Sequence, residues 1–267
     1  MCKLEPELDL VLTSDWFKLY RAKSLDDKQS FLLRVPTDPC WNGEINLEAE
    51  LLAHYVACCE DIETRYSKAK NNPAARVHYD WLLPQLSMTF ITDESQGNRQ
   101  VNLLTVRDAN VEDFIPMAKL VEKYKVDART AAWILGRLYK LQSFLEDYGG
   151  PYNFNVDGVI LEPRMHRLVY LGIIRSGEWC DWHTSLRNAT TAIHDWVELN
   201  GTVHEKDFLE WLEWAGTEDY YSYQDATETH KMFYAKLDEW WGHKYHPFTY
   251  MERETGAWHT IKNAPKL

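Results

Sequence analysis

Cys180, Asp181 and His183 fall close together in the run Trp179-Cys180-Asp181-Trp182-His183, and His243 and His246 follow an H-x-x-H spacing. Side chains of these types ligate metal when at least three converge with supporting hydrogen bonds. Neither group has the i,i+4 spacing that sets two ligands on one helix face, and no C-x-x-C pair occurs. Aromatic packing and exposed histidines account for both groups, so no metal and no cofactor is expected. Asp195, with His194 or His204 and Ser185, could be drawn as an acid–base–nucleophile triad. The G-x-S-x-G elbow that would present the serine is missing, and such triples arise often by chance. Trp214, Tyr220, Tyr221 and Tyr223 form a different kind of group. They lie in residues 195–240, which hold twelve acids and three lysines. Tryptophan and tyrosine dominate interface energetics, so aromatics ringed by acids read as a protein-docking surface. The competing reading is a solvated acidic helical face over a tryptophan-rich core.

These residues need elements to position them. Leu8–Leu12, Phe17–Ala22 and Ser30–Val35 are short apolar or β-branched runs between turn signals and read as strands. Ile45–Ile62 reads as a helix with Leu47, Leu51, Leu52, Tyr55 and Val56 on one face. Leu86–Ile91 and Gln100–Val106 read as an antiparallel pair around a turn containing Gly97. Beyond Asn110 the period changes to that of helices. Phe114–Tyr124 is expected to be one helix with Pro116 in its first turn. Asp127 is expected to cap the next, which runs to about Tyr148 and stops at Gly149-Gly150-Pro151. Two strands follow, Gly158–Leu161 and Leu168–Ile174. Three helical faces come last: Leu186, Ala189, Ile193, Trp196 and Val197; Phe208, Trp211, Leu212 and Ala215; Phe233, Leu237, Trp240 and Trp241. The pattern is α+β, strand-rich then helix-rich, with a hinge near Arg107–Asp113.

In order and type, these elements resemble a protein kinase. The likeness is best between Arg129 and Ile174, where a long helix ends in glycine and a strand pair follows. The stretch VILEPRMHRLVYL, residues 159–171, is similar to the hairpin of degenerate kinase-like domains. About 150 residues, Tyr20 to Ile174, can be laid over the family. The resemblance implies a bilobal fold: a small β-rich N-lobe over residues 1–108, a larger helical C-lobe over 109–250, and a tail over 251–267.

It also implies where the active groups would fall. Kinases cradle ATP phosphates with a glycine-rich loop between their first strands. Here the first glycine is Gly43, past those strands. Arg34 falls at the position of the phosphate-pairing lysine, and Glu48 at that of its partner glutamate. Asn153 takes the place of the catalytic aspartate, and an amide cannot act as a base. Gly158 takes the place of the metal-holding asparagine. The metal-binding aspartate position falls at Leu171 or Gly172, neither of which offers the oxygen ligand magnesium requires. Asp157 lies beside these positions, and Glu178 and Asp181 are the next acids.

Composition bounds the rest. The chain has 267 residues and a net charge of −12. An acidic surface repels phosphate backbones, so nucleic acid is a poor partner and a basic protein a better one. Five cysteines, an odd number, point to reduced thiols and a cytoplasmic location. No stretch approaches the ~18 apolar residues that span a bilayer, so no membrane partner is expected. The expected function is a non-catalytic scaffold or regulatory protein-binding module, not an enzyme. The alternatives are an atypical phosphotransferase using Arg34 with Asp157 or Asp181, and a structural subunit of a larger, for instance viral, assembly.

Overall fold

A computed structural model describes residues 8–24, 29–74, 77–122, 125–148, 158–162, 166–172, 182–199, 201–217 and 225–242. Five strands come first: β1 (Asp9–Thr13), β2 (Phe17–Lys23), β3 (Ser30–Pro36), β4 (Gln85–Ile91) and β5 (Gln100–Thr105). They form one antiparallel sheet in the order β1-β2-β3-β5-β4. Side chains alternate across it. Phe31 and Leu33 join Ala22, Val101 and Leu103 in a small cluster on one face. Leu32 and Leu104 join the main core on the other. In the register of β3 with β5, Arg34 stands opposite Asn102.

Helix α1 (Asn42–Ala69) packs across the core face of this sheet. Its buried stripe is Ile45, Glu48, Ala49, Leu52, Tyr55 and Cys59, spaced three and four apart as one helical face requires. This corrects the face expected from the sequence, since Leu47 and Val56 are 42% and 38% exposed. Leu47 and Val56 lie at the edges of the buried stripe, whereas Leu52 and Tyr55 share it with Glu48. The helix is rotated so that this acid points inward.

The chain then builds a three-stranded sheet from β6 (Ile115–Pro116), β8 (Val159–Glu162) and β9 (Arg167–Tyr170), in the order β6-β8-β9. The expected helix from Phe114 is therefore wrong at its start. Ile115 and Pro116 pair with Leu161 and Ile160, and helix α2 covers only Met117–Val121. Pro116 caps that helix instead of sitting in its first turn. β7 (Val126–Asp127) pairs in parallel with β10 (Val197–Glu198), so Val197 leaves the helix it was expected to extend.

Helix α3 (Ala128–Tyr148) is the central element of the helical part, and Ile134, Leu138, Leu141 and Leu145 are all buried. Asp127 caps it as expected. Its carboxylate accepts from the N–H groups of Arg129 and Thr130 at 2.9 and 3.2 Å. α4 (Trp182–Trp196) and α6 (Ala226–Trp241) pack on α3. α5 (Val203–Ala215) starts at a capping box, in which Thr202 and Glu205 bond each other's backbone. All four apolar residues of its expected face, Phe208, Trp211, Leu212 and Ala215, are buried. One cluster of buried side chains runs without a break from the first sheet through α1 and α3 to α6. The fold is α+β. Among the described residues no helix is long and apolar enough to cross a membrane.

Candidate functional site

Arg34 sits at the join between the five-stranded sheet, α1 and the end of β9. Strand alternation directs it to the face that α1 covers, and Glu48 meets it from the buried stripe of that helix. The guanidinium Nη1 lies 2.5 Å from Glu48 Oε1, and both side chains are 0% exposed. Arg34 Nη2 donates to the carbonyl of Leu171 at 2.6 Å. Asn102, opposite Arg34 on β5, donates to Glu48 Oε2 at 2.9 Å and to the Ile45 carbonyl at 2.8 Å. The Phe17 ring centroid is 4.5 Å from the guanidinium carbon, and that of Trp16 is 5.9 Å away. A guanidinium over an aromatic face gains a cation–π attraction that grows as water is removed.

Burial governs the charges here. It pushes the Glu48 carboxyl above the usual carboxylate range, while the Arg34 charge and the Asn102 amide pull it back. It lowers the Arg34 guanidinium, against the opposing pull of Glu48 and Tyr170. A guanidinium does not give up its proton in proteins, so Arg34 carries its charge here.

Beside this pair, Gly158 and Gly172 lie in direct contact. A Cβ on Gly158 would stand 3.0 Å from both the Cα and the N of Gly172, and a Cβ on Gly172 would stand 2.8 Å from the Tyr170 hydroxyl. The Leu171 N–H donates to the Gly158 carbonyl at 2.5 Å. Close backbone approach and the Tyr170 ring fill the space between the two segments.

The centre thus gathers Arg34, Glu48, Gly158, Leu171 and Gly172 from four separate stretches of chain. No known family model matches this chain, and no curated protein matches its sequence. The geometry therefore stands by itself. The Arg34 guanidinium has no exposed surface, ion-pairs with Glu48 and hydrogen-bonds the Leu171 carbonyl through Nη2, while Nε is buried without a hydrogen-bond partner. With no solvent-facing surface it is not presented to a ligand. Among the described residues near it, Glu48 is the acid, and it is spent on Arg34. What this arrangement does is tie β3, α1, β5 and the end of β9 together.

The other sequence candidates are dispersed. Trp214 lies on α5 and is 47% exposed, its ring 5.3 Å from that of Trp211. Asn153, Asp157, Glu178, Asp181, Tyr220, Tyr221, Tyr223, His243 and His246 lie outside the described residues. The triad does not assemble. Ser185 is buried on α4, and His194 lies nine residues along the same helix, roughly 13 Å at the rise of an α-helix. His194 does meet its neighbour Asp195, but without the serine, and His204 meets Asp207. The sequence reading missed Asn102, Trp16 and Phe17. Asn102 did carry a signal, because a polar residue inside the apolar run Val101-Asn102-Leu103-Leu104 must find a buried partner.

Proposed function

We propose that this chain is a bilobal kinase-like protein whose nucleotide position is filled from within, and that it works by binding a protein partner. The observation that carries this reading is the complete burial of Arg34 against Glu48, Phe17 and the Leu171 carbonyl. In a kinase the residue at this place pairs with the helix glutamate and reaches the nucleotide phosphates. Here the pairing persists and the reach does not. The order of elements supports the same reading: a five-stranded sheet with one crossing helix, then a helix-rich part entered through residues 107–113. So does the contact of Gly158 with Gly172, since neither residue offers an oxygen side chain for magnesium and no space is left between them.

The partner would meet the acidic helical part, where Trp214 is exposed among acids. Basic proteins fit this charge, and their association would weaken as salt rises.

A thermal-shift titration of the full chain with Mg²⁺-ATP tests the first half. A ligand that binds the native state raises its stability by RT ln(1+[L]/Kd). The melting temperature should not move at millimolar nucleotide, and a dose-dependent rise would overturn the reading.

A further inference from the structure

A groove of about 1130 Å³ runs along the C-terminal half of α1, between that helix and the segment that follows β5. Glu63, His78 and Asp80 line it, and one ligand atom from each lies within 4.8 Å of the others. Glu63 stands on α1. Its Oε1 accepts from the N–H groups of Val77 and His78 at 2.9 and 2.6 Å, and its Oε2 from that of Val77 at 2.9 Å. These bonds pin the segment before β4 to the helix. The His78 ring lies against Trp81 at 4.1 Å. Asp80 is the decisive residue. Its side chain is 10% exposed, Oδ2 takes the Arg107 guanidinium, and Oδ1 is buried with no hydrogen-bond partner. A buried carboxylate oxygen without a donor is costly, and a cation removes that cost.

We infer that Glu63, His78 and Asp80 form a binding site for a divalent transition-metal ion of the zinc class, with one position open to the groove. One imidazole nitrogen and two carboxylate oxygens are the donors such ions take, and three protein ligands with an open fourth position is their usual accessible arrangement. Zinc bonds of roughly 2.0–2.2 Å need ligand atoms about 3.5 Å apart, so the three must draw in by about 1 Å. Two positive groups share these carboxylates. Arg107 is half exposed and lies near Asp108 as well as Asp80, so a bound cation would displace it from Asp80 toward solvent. Lys140 donates to the Val77 carbonyl, and burial lowers its ammonium to about 8. The site is separate from the Arg34 centre, so failure of either reading leaves the other standing.

The experiment uses the full chain, stripped of metal with a chelator and titrated with Co²⁺ and Zn²⁺. One equivalent of Co²⁺ should bind with the visible absorption of a four-coordinate ion, and Zn²⁺ should displace it. His78→Asn is the informative variant. His78 has a left-handed backbone, φ 62°, which asparagine tolerates better than most residues. Its Kd should rise roughly 10-fold or more with the circular dichroism unchanged. His54→Asn, on the exposed side of α1, should bind as wild type. X-ray absorption of the zinc-loaded wild type should show one imidazole with oxygen neighbours, a readout that needs no variant. Failure of the wild type to bind at high micromolar metal would overturn the inference. So would wild-type affinity in His78→Asn, or a shell of sulfur or several imidazoles.

Discussion

An arginine and a glutamate with no exposed surface are a costly pair to bury, and the cost shows what each does for the other. Desolvating an ion costs several kcal/mol, which mutual attraction and added hydrogen bonds repay only in good geometry. Removing one member strands the other. Glu48→Leu should therefore destabilise the fold by about 3–5 kcal/mol, leaving the Arg34 charge uncompensated. Replacing both members, Arg34→Met with Glu48→Leu, should cost less than Glu48→Leu alone, because a Met–Leu contact suits the apolar surroundings of Phe17 and Trp16. Urea unfolding of the two singles and the double gives the coupling directly, and a double equal to the sum of the singles would show that the pair is not coupled. The sequence made Arg34 and Glu48 legible through the spacing of a strand and the helix after it. It did not make Asn102 legible as their third member, because that requires the register of β3 against β5, fixed by residues far apart in the chain.

Elements whose signals are local could be read, and those that depend on distant partners could not. Asp127 was legible as a cap because the cap and the N–H groups it satisfies lie within three residues. Pro116 was misread because its strand partner, Ile160, comes from the other side of α3. The inward face of α1 was legible at Glu48, Leu52 and Tyr55 but drawn too wide, because Leu47 and Val56 are apolar residues that the packing against the sheet leaves at its edges. Glycines show the same division. Gly43 and Gly158 look alike in sequence, yet a Cβ on Gly43 meets nothing within 4 Å, while one on Gly158 meets the Gly172 backbone at 3.0 Å. Gly43→Ala, near the start of α1, should stabilise by about 0.4–1 kcal/mol by reducing the freedom of the unfolded chain. Gly158→Ala should destabilise by about 1–3 kcal/mol, because backbone cannot yield as a side chain tip can. Opposite shifts in melting temperature check both. An equal shift would mean that the close approach of β8 to the end of β9 does not constrain the fold.

At the scale of the molecule, the unbroken core couples the helical part to the sheet, so a local charge on α6 should be felt throughout. His230 supplies that charge. Its ring is partly buried, packs 4.8 Å from that of Tyr234, and faces the positive side chains Lys140 and Arg137 of α3 and its neighbour Lys231. Burial first, and these charges second, lower the imidazole from the usual 6.5 to about 4. In the unfolded chain the same ring takes its proton near 6.5. Between these values the unfolded state binds more protons, so stability is lost as pH falls from about 6.5 toward 4. Between pH 7 and pH 5 this single group should remove about 2 kcal/mol. His230→Gln should flatten that limb. Acids with raised values, Glu48, Asp127 and Glu146, act in the opposite sense, so the difference between wild type and His230→Gln, and not the raw slope, isolates this group. Tryptophan fluorescence reports mainly on the helical part and far-UV circular dichroism on the whole chain. Because one core serves both, the two unfolding curves should coincide at pH 7 and shift together at pH 5. A fluorescence transition that moves alone would mean that the helices let go while the sheet and α1 hold, and that the coupling through α3 is weaker than the continuous packing implies.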